Sequence, residues 1–255
     1  MLSIERRWRI INYLKKNGTA RISDLSKMLE VSDNTIRRDL DKLVQEKVVK
    51  RIHGGGVLIG DTYSPHDFYW IERETKFSEE KKRIGAKAAE LIQKGETVIL
   101  DVGTTTIEIA KNLSNKKNIT VITNGLNIAT QLIKNRKIDI ILSGGTFREV
   151  SMSLVGIFTE EFFKNIHVDK LFLSAGNVNI NSGVTNTNII EVPIKRAMIE
   201  VAEEVILTVT YNKIGKRSFA YVCPISAINK IITDKKAPEA EINAIRKKGI
   251  EVIMV

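Results

Sequence analysis

From residue 78 to residue 255, short runs rich in β-branched residues alternate with amphipathic stretches, and this alternation restricts the fold more than any other feature of the chain. The runs TVILDVG (97–103), ITVITN (119–124) and DIILSGG (139–145) read as strands, as do 168–175, 204–210, 229–233 and 250–254. Helices are expected over 78–94, 105–113 and 126–135, and near 189–202 and 238–248. Strands with consecutive apolar residues have no solvent-facing side, and alternation with helices implies a mainly parallel α/β sheet covered on both faces. Open sheets of this kind bind ligands outside the carboxyl ends of their strands.

Three of those ends carry polar, glycine-containing sequences. The first strand ends in Asp101-Val102-Gly103-Thr104-Thr105-Thr106, the second in Thr123-Asn124-Gly125, and the third in Ser143-Gly144-Gly145-Thr146-Phe147-Arg148. Glycine lets a ligand approach the backbone, hydroxyl and amide groups donate hydrogen bonds, and an arginine offers charge, a combination suited to a phosphate with polyol attached. No GxxxxGK[ST] loop is present, so a nucleoside triphosphate is not indicated. Each feature also has a plainer role: Thr104 and Thr105 as helix caps, Gly144 and Gly145 as a turn, Arg148 as the ion partner of Glu149 or Glu160. Their joint position at consecutive strand ends favours the ligand site. The amide-rich stretch with Asn177, Asn179, Asn181, Asn186 and Asn188 reads mostly as loop, where asparagine is common.

The first sixty residues have a different character. They hold thirteen Lys/Arg against seven Asp/Glu, a surplus of six out of the chain's formal +10, so positive charge is concentrated at one end. A clustered positive field attracts polyanions, nucleic acid first. Ile4, Trp8, Ile10, Ile11 and Leu14 recur at helical spacing over residues 3–16, and Gly18 ends that helix. A short helix, Ile22 to Leu29, is followed by a tight turn and a third helix starting at Ser32 or Asp33, whose side chains can cap it. On the third helix Ile36, Leu40, Leu43 and Val44 fall together, opposite Asn34, Arg38, Asp41, Lys42 and Gln45. Two short apolar runs, 48–53 and 57–59, flank Gly54-Gly55-Gly56 and read as a hairpin.

Helix, tight turn, donor-rich helix and basic hairpin together describe a winged helix-turn-helix, with the third helix in the major groove and the wing on the sugar-phosphate backbone. The expected DNA-facing residues are Ser32, Asn34, Thr35, Arg37, Arg38 and Lys42, with Arg51 and His53 from the wing. The plainer alternative is a solvated helix face. The expected organisation is therefore a DNA-binding domain over 1–59, a linker over 60–77 and an α/β domain over 78–255. The linker contains a Ser-Pro break and four aromatics, Tyr63, Phe68, Tyr69 and Trp70, expected to dock on a domain or a partner subunit. A single cysteine, Cys223, excludes an internal disulfide, and His53, His66 and His167 lack metal-ligand spacing, so no metal, cofactor or catalytic set is expected. Charges within the first ten residues, and the lack of any long apolar run, point to a cytoplasmic protein without a membrane span.

TIRRDL with Leu43 and RIHGGG resembles the N-terminal signature of the DeoR family of bacterial transcriptional regulators, and LDVGTTT, ITNGLNIA, LSGGTFRE with SLVG, VDKLFLSA, GVTN followed by Glu191 and Lys195, and YNKIGKRSF with ITD resemble its sensor domain. The resemblance implies a winged DNA-binding domain joined to a domain related to sugar-phosphate isomerases. It also implies a phosphorylated-sugar pocket formed by Asp101, Gly103, Thr104, Thr105, Thr123, Asn124, Gly144, Gly145, Arg148, Glu191 and Lys213. Many members have an aspartate three residues before the lysine matching Lys213, and here Thr210 stands instead, which leans away from catalysis. The expected protein is a repressor of a carbohydrate-utilisation operon that binds operator DNA as a homo-oligomer and leaves it on binding a phosphorylated sugar. The alternative is a sugar-phosphate isomerase with an accessory DNA-binding domain, using Asp101 and Glu191 for acid/base chemistry.

Overall fold

Val98, Ile99 and Leu100 are consecutive and all fully buried, which requires helices on both sides of their strand. The computed structural model describes residues 3–45, 48–58, 73–74 and 76–255, which fall into two compact units, 1–75 and 76–255. Of the segment 60–77, residues 60–72 and 75 lie outside the described residues, and with them the reading of its four aromatics.

The larger unit is built on a seven-stranded sheet in the order β15-β14-β12-β9-β4-β5-β6, with every pair parallel. Its strands are β4 (Thr97–Leu100), β5 (Thr120–Thr123), β6 (Asp139–Leu142), β9 (Val168–Leu173), β12 (Ala202–Thr208), β14 (Lys230–Thr233) and β15 (Glu251–Met254). Alternate residues supply two cores. Ile99, Ile122, Leu171, Leu173 and Leu207 pack with Phe163, Ile194, Met198 and Ile242 from helices α7 (Ile157–Lys164), α8 (Val192–Glu200) and α9 (Glu239–Arg246). Val98, Leu100, Val121, Phe172 and Ile206 pack with Ile84, Ile109, Ile128 and Leu132 from α4 (Ser78–Glu90), α5 (Thr106–Lys111) and α6 (Leu126–Leu132). The chain lays down β4, β5 and β6 outward in one direction, then returns to place β9, β12, β14 and β15 in the other. The direction of winding reverses between β4 and β9, which is where the crevice of such a sheet opens.

Several elements depart from the sequence reading. Helix 157–164 and the β7–β8 hairpin (Thr146–Arg148, Ser153–Val155) were not expected. The amide-rich stretch is not loop: β10 (Asn177–Asn179), β11 (Gly183–Asn186) and β13 (Ala220–Cys223) form a small antiparallel sheet. Asn181 turns the chain and Asn188 caps the following 3-10 turn, accepting the Ile190 N–H at 2.9 Å. The helix expected near 189–202 begins at Val192, because that 3-10 turn occupies 189–191.

In the smaller unit, α1 (Ser3–Asn17), α2 (Ile22–Leu29) and α3 (Asp33–Gln45) enclose a core of Ile10, Ile11, Leu14, Leu25, Leu29, Ile36, Leu40 and Leu43. The side chains of Ile4 and Trp8 lie outside those described. The wing has three strands rather than two, in the order β1-β3-β2, with β1 at Thr19–Arg21, β2 at Val49–Ile52 and β3 at Gly55–Leu58. The turn is confined to His53 and Gly54, and Gly55 and Gly56 lie within β3. A Cβ on Gly55 would stand 1.9 Å from the Ala20 carbonyl oxygen, so β1 approaches this strand as closely as only glycine permits.

Candidate functional site

Helix α3 is positioned by its own ends and by a buried ion pair. The α2–α3 turn is held by Ser26, whose hydroxyl donates to Val31 O at 2.6 Å, and Ser32 then caps α3 by accepting the Thr35 N–H at 3.2 Å. The Thr35 hydroxyl meets that of Ser32 at 2.9 Å, so both residues serve the cap. Asp39, on the core side, is paired with Arg6 of α1 through both carboxylate oxygens, the longer contact being 3.2 Å. That pair fixes the rotation of α3, and the opposite face carries Asn34, Arg37, Arg38 and Lys42, all exposed. Arg51 of β2 donates to Asp41 Oδ1 at 3.1 and 2.9 Å, which ties the wing to α3 and partly neutralises that guanidinium. His53 is exposed at the wing tip. The result is a convex helix face bearing three cations and an amide, beside a basic wing.

In the larger unit, the ends of β4 and β9 are joined by a buried polar cluster at the reversal of winding. Asp101 Oδ2 accepts the Ser174 N–H at 2.9 Å, lies 2.7 Å from Ser174 Oγ and pairs with Lys195 Nζ at 2.5 Å. Lys195 also donates to Ser174 O at 3.1 Å. The two ionic side chains are 1% and 2% exposed, a burial that persists only because each charge is paired and further hydrogen-bonded. Gly103 is required beside this cluster, since a Cβ there would stand 2.8 Å from Ser174 Cβ.

Around that foundation lie the other sequence-assigned residues. Thr104, Thr105, Thr123 and Asn124 are buried at the ends of β4 and β5. Thr123 is committed to the backbone, donating to Leu100 O at 2.7 Å and accepting the Gly125 N–H at 3.0 Å. Thr105 Oγ1 and Asn124 Oδ1 are buried without any hydrogen-bond partner. Gly144 and Gly145 have φ of +72° and +120°, and form the turn from β6 into β7. Arg148 reaches Ser151 Oγ at 2.8 Å and Glu191 Oε1 at 3.5 Å, and Glu191 Oε2 accepts from Asn186 Nδ2 at 2.8 Å. Lys213 donates to Ala175 O at 2.7 Å, just past the end of β9. Thr210 is buried, its hydroxyl 2.6 Å from Asn212 Oδ1, and Asp234 of the next strand end accepts the Tyr211 N–H at 2.8 Å.

The structure thus brings Arg148 to Glu191 and sets Thr105 and Asn124 on neighbouring strand ends, while Thr123 is spent locally. Lys195 and Ser174 were not among the sequence-assigned pocket residues. A signal existed: Lys195 shares its i±3 row with Val192 and Met198, both buried, and a lysine on an apolar stripe requires a carboxylate partner. Among the described residues no group of His, Cys, Asp and Glu could hold a metal ion, and no helix is long and apolar enough to cross a membrane.

Comparison with known proteins follows the same division. Residues 6–62 match the DeoR-like helix-turn-helix domain and residues 76–235 the DeoR C-terminal sensor domain. The chain is similar to the HTH-type transcriptional regulator GolR of Listeria innocua, 34% identical over 99% of this chain and 98% of the relative. It is similar also to the glycerol-3-phosphate regulon repressor of Escherichia coli, 31% identical over 95% of each chain. The transcriptional repressor AccR of Agrobacterium fabrum is 33% identical over 90% of this chain and 89% of its own. Both domains matched in order, and relatives similar along nearly their whole length, make the chain a member of the DeoR family of DNA-binding transcriptional regulators.

Proposed function

We propose that the chain represses a carbohydrate-utilisation operon in the cytoplasm as a homo-oligomer, and that a phosphorylated sugar bound at the carboxyl ends of β4, β5 and β6 releases it from its operator. The observation that carries this reading is the pair of buried, partnerless oxygens, Thr105 Oγ1 and Asn124 Oδ1, at the ends of adjacent strands. Buried polar atoms are nearly always satisfied, and leaving one unsatisfied costs about 1–3 kcal/mol, so an unmet pair at a strand-end crevice calls for a ligand. Asn124 would accept from a sugar hydroxyl, Thr105 would donate to phosphate, and Arg148 would exchange its 3.5 Å contact with Glu191 for a phosphate oxygen. The repressor names of the relatives, one of them for a glycerol-3-phosphate regulon, support both the sign of regulation and the class of effector.

The fold offers an exit for the signal. The 3-10 turn Tyr211–Lys213, which presents Lys213, also presents the Tyr211 ring to Phe77, edge-on at 5.4 Å between centroids. Phe77 immediately precedes α4 and lies on the path along the chain toward the DNA-binding unit. A ligand that shifts Lys213 would therefore shift the anchor of the connecting segment. Catalysis is not part of the reading, because both carboxylates that an isomerase would use, Asp101 and Glu191, are engaged by Lys195 and by Arg148 and Asn186.

Thermal unfolding against a panel of pentose, hexose and triol phosphates, each with its unphosphorylated parent, tests the site. A ligand at hundredfold excess over its Kd stabilises by about 2.7 kcal/mol, roughly 5–10 °C for a domain of this size. One phosphorylated sugar is expected to give such a shift and its parent none, with Thr105→Val abolishing the shift while leaving the ligand-free midpoint in place. No shift with any member of the panel would contradict the reading.

A further inference from the structure

Among the exposed large apolar side chains of the larger unit, which also include Ile133 and the β6 residues Ile141 and Leu142, six form two clusters. The first comprises Phe147 of β7 with Ile157 and Phe158 in the first turn of α7, the last 76% exposed. These lie together because Gly145, two residues before Phe147, packs against Thr159, whose hydroxyl donates to Gly144 O at 2.7 Å. The second comprises Ile189 and Ile190 with Phe219, which is 83% exposed. Phe219 enters β13 at Ala220, paired in register with Asn186, and Asn186 in turn donates to Asn188 O and to Glu191. The Arg148–Glu191 pair bridges the two clusters.

The clusters differ in charge. Beside the first stand Glu149, Glu160 and Glu161, against Lys164 alone, while exposed Lys216, Arg217 and Arg196 stand beside the second. We propose that this surface is the self-association interface of the chain: the first cluster of one copy seats on the second cluster of another, and the reverse across a two-fold axis near Arg148 and Glu191. A two-fold interface must be self-complementary, and an acidic apolar patch beside a basic one satisfies that condition. The area is sufficient. Aromatic side chains carry roughly 150–250 Å² each, so six large residues at least 45% exposed amount to several hundred Å², on the order of the ~800 Å² per partner of a specific interface. An exposed apolar patch of that size rimmed by charged residues is the kind that marks an interaction surface. A second copy also supplies the second recognition helix that a symmetric operator needs. The axis passes by two residues assigned above to the effector site, so effector occupancy and subunit arrangement become linked; this consequence alone rests on the effector reading.

The test is sedimentation velocity of the full chain at micromolar concentrations with no sugar phosphate present, so that its outcome is independent of the effector. The wild-type chain is expected to sediment as a dimer or a larger even-numbered assembly. Phe158→Asp and Phe219→Asp are each expected to weaken association by on the order of tenfold or more, with the low-temperature circular dichroism spectrum unchanged because both side chains are on the surface. Arg217→Glu is expected to weaken association and the combination Glu161→Arg with Arg217→Glu to restore it, which only seating of the acidic cluster on the basic one explains. A wild-type monomer would overturn the proposal, as would unchanged mass in both aspartate variants or a charge swap that fails to restore association.

Discussion

Arg38 and Asp39 are neighbours on α3 with opposite tasks. Arg38 is exposed on the polar face, whereas Asp39 lies on the row of Ile36 and Leu43 and holds Arg6 in the core. Breaking a buried ion pair from one side leaves a desolvated charge, so Asp39→Asn is expected to destabilise the smaller unit by about 3–5 kcal/mol in denaturant titration. Arg38→Ala is expected to leave that stability unchanged and to weaken operator binding by about 1–3 kcal/mol, with a loss that varies with operator sequence. A loss equal on all sequences would assign Arg38 to phosphate instead. The helical spacing of the sequence displays the exposed face directly, but it hides Asp39, because a charged residue on an apolar row has no meaning until its partner, thirty-three positions away, is known. Cys223 shows burial acting on a single group: desolvation pushes its thiol up to about 11, only partly offset by Arg196 and Lys195. Thiolate is the reactive form. Disulfide-exchange reagents at pH 8 are therefore expected to modify the native protein far more slowly than the denaturant-unfolded chain, and equal rates would contradict the buried placement.

At the scale of elements, long periodic segments are legible and short ones are not. The central strands announce themselves as runs of buried β-branched residues, and the three threonines and Asn124 follow as their ends. Isolated short strands such as β1, β10 and β11 contain too few apolar positions to show a period, and β10 and β11 also include asparagine or glycine, which serve turns. What makes β1 a strand is its pairing partner, at a distance in sequence. Gly55→Ala tests that contact: a methyl 1.9 Å from the Ala20 oxygen must push β1 away, and a loss of about 1–3 kcal/mol in the stability of the smaller unit is expected. An unchanged denaturation midpoint would mean that the three-stranded wing does not form as described. The Lys195–Ser174–Asp101 cluster is not legible in the sequence for a related reason, since it joins a helix to two strand ends over more than seventy residues.

For the whole molecule, two sites of different chemistry on one chain are useful only if they communicate. Linkage requires that the effector weaken operator binding by the same factor by which the operator weakens effector binding, typically about 5–150-fold. On the proposed reading the coupling would run from Lys213 through Tyr211 to Phe77, and Tyr211→Ala is expected to lower the coupling factor while both separate affinities persist. The most direct test is fluorescence anisotropy of a labelled duplex, selected by the protein from its own genomic DNA and titrated with protein in the presence of each sugar phosphate and each parent sugar. One phosphorylated sugar is expected to weaken operator binding by on the order of tenfold or more, and its parent is expected to have no effect. Operator affinity that stays the same with every sugar phosphate would contradict the assignment of the larger unit as the sensor of a phosphorylated sugar.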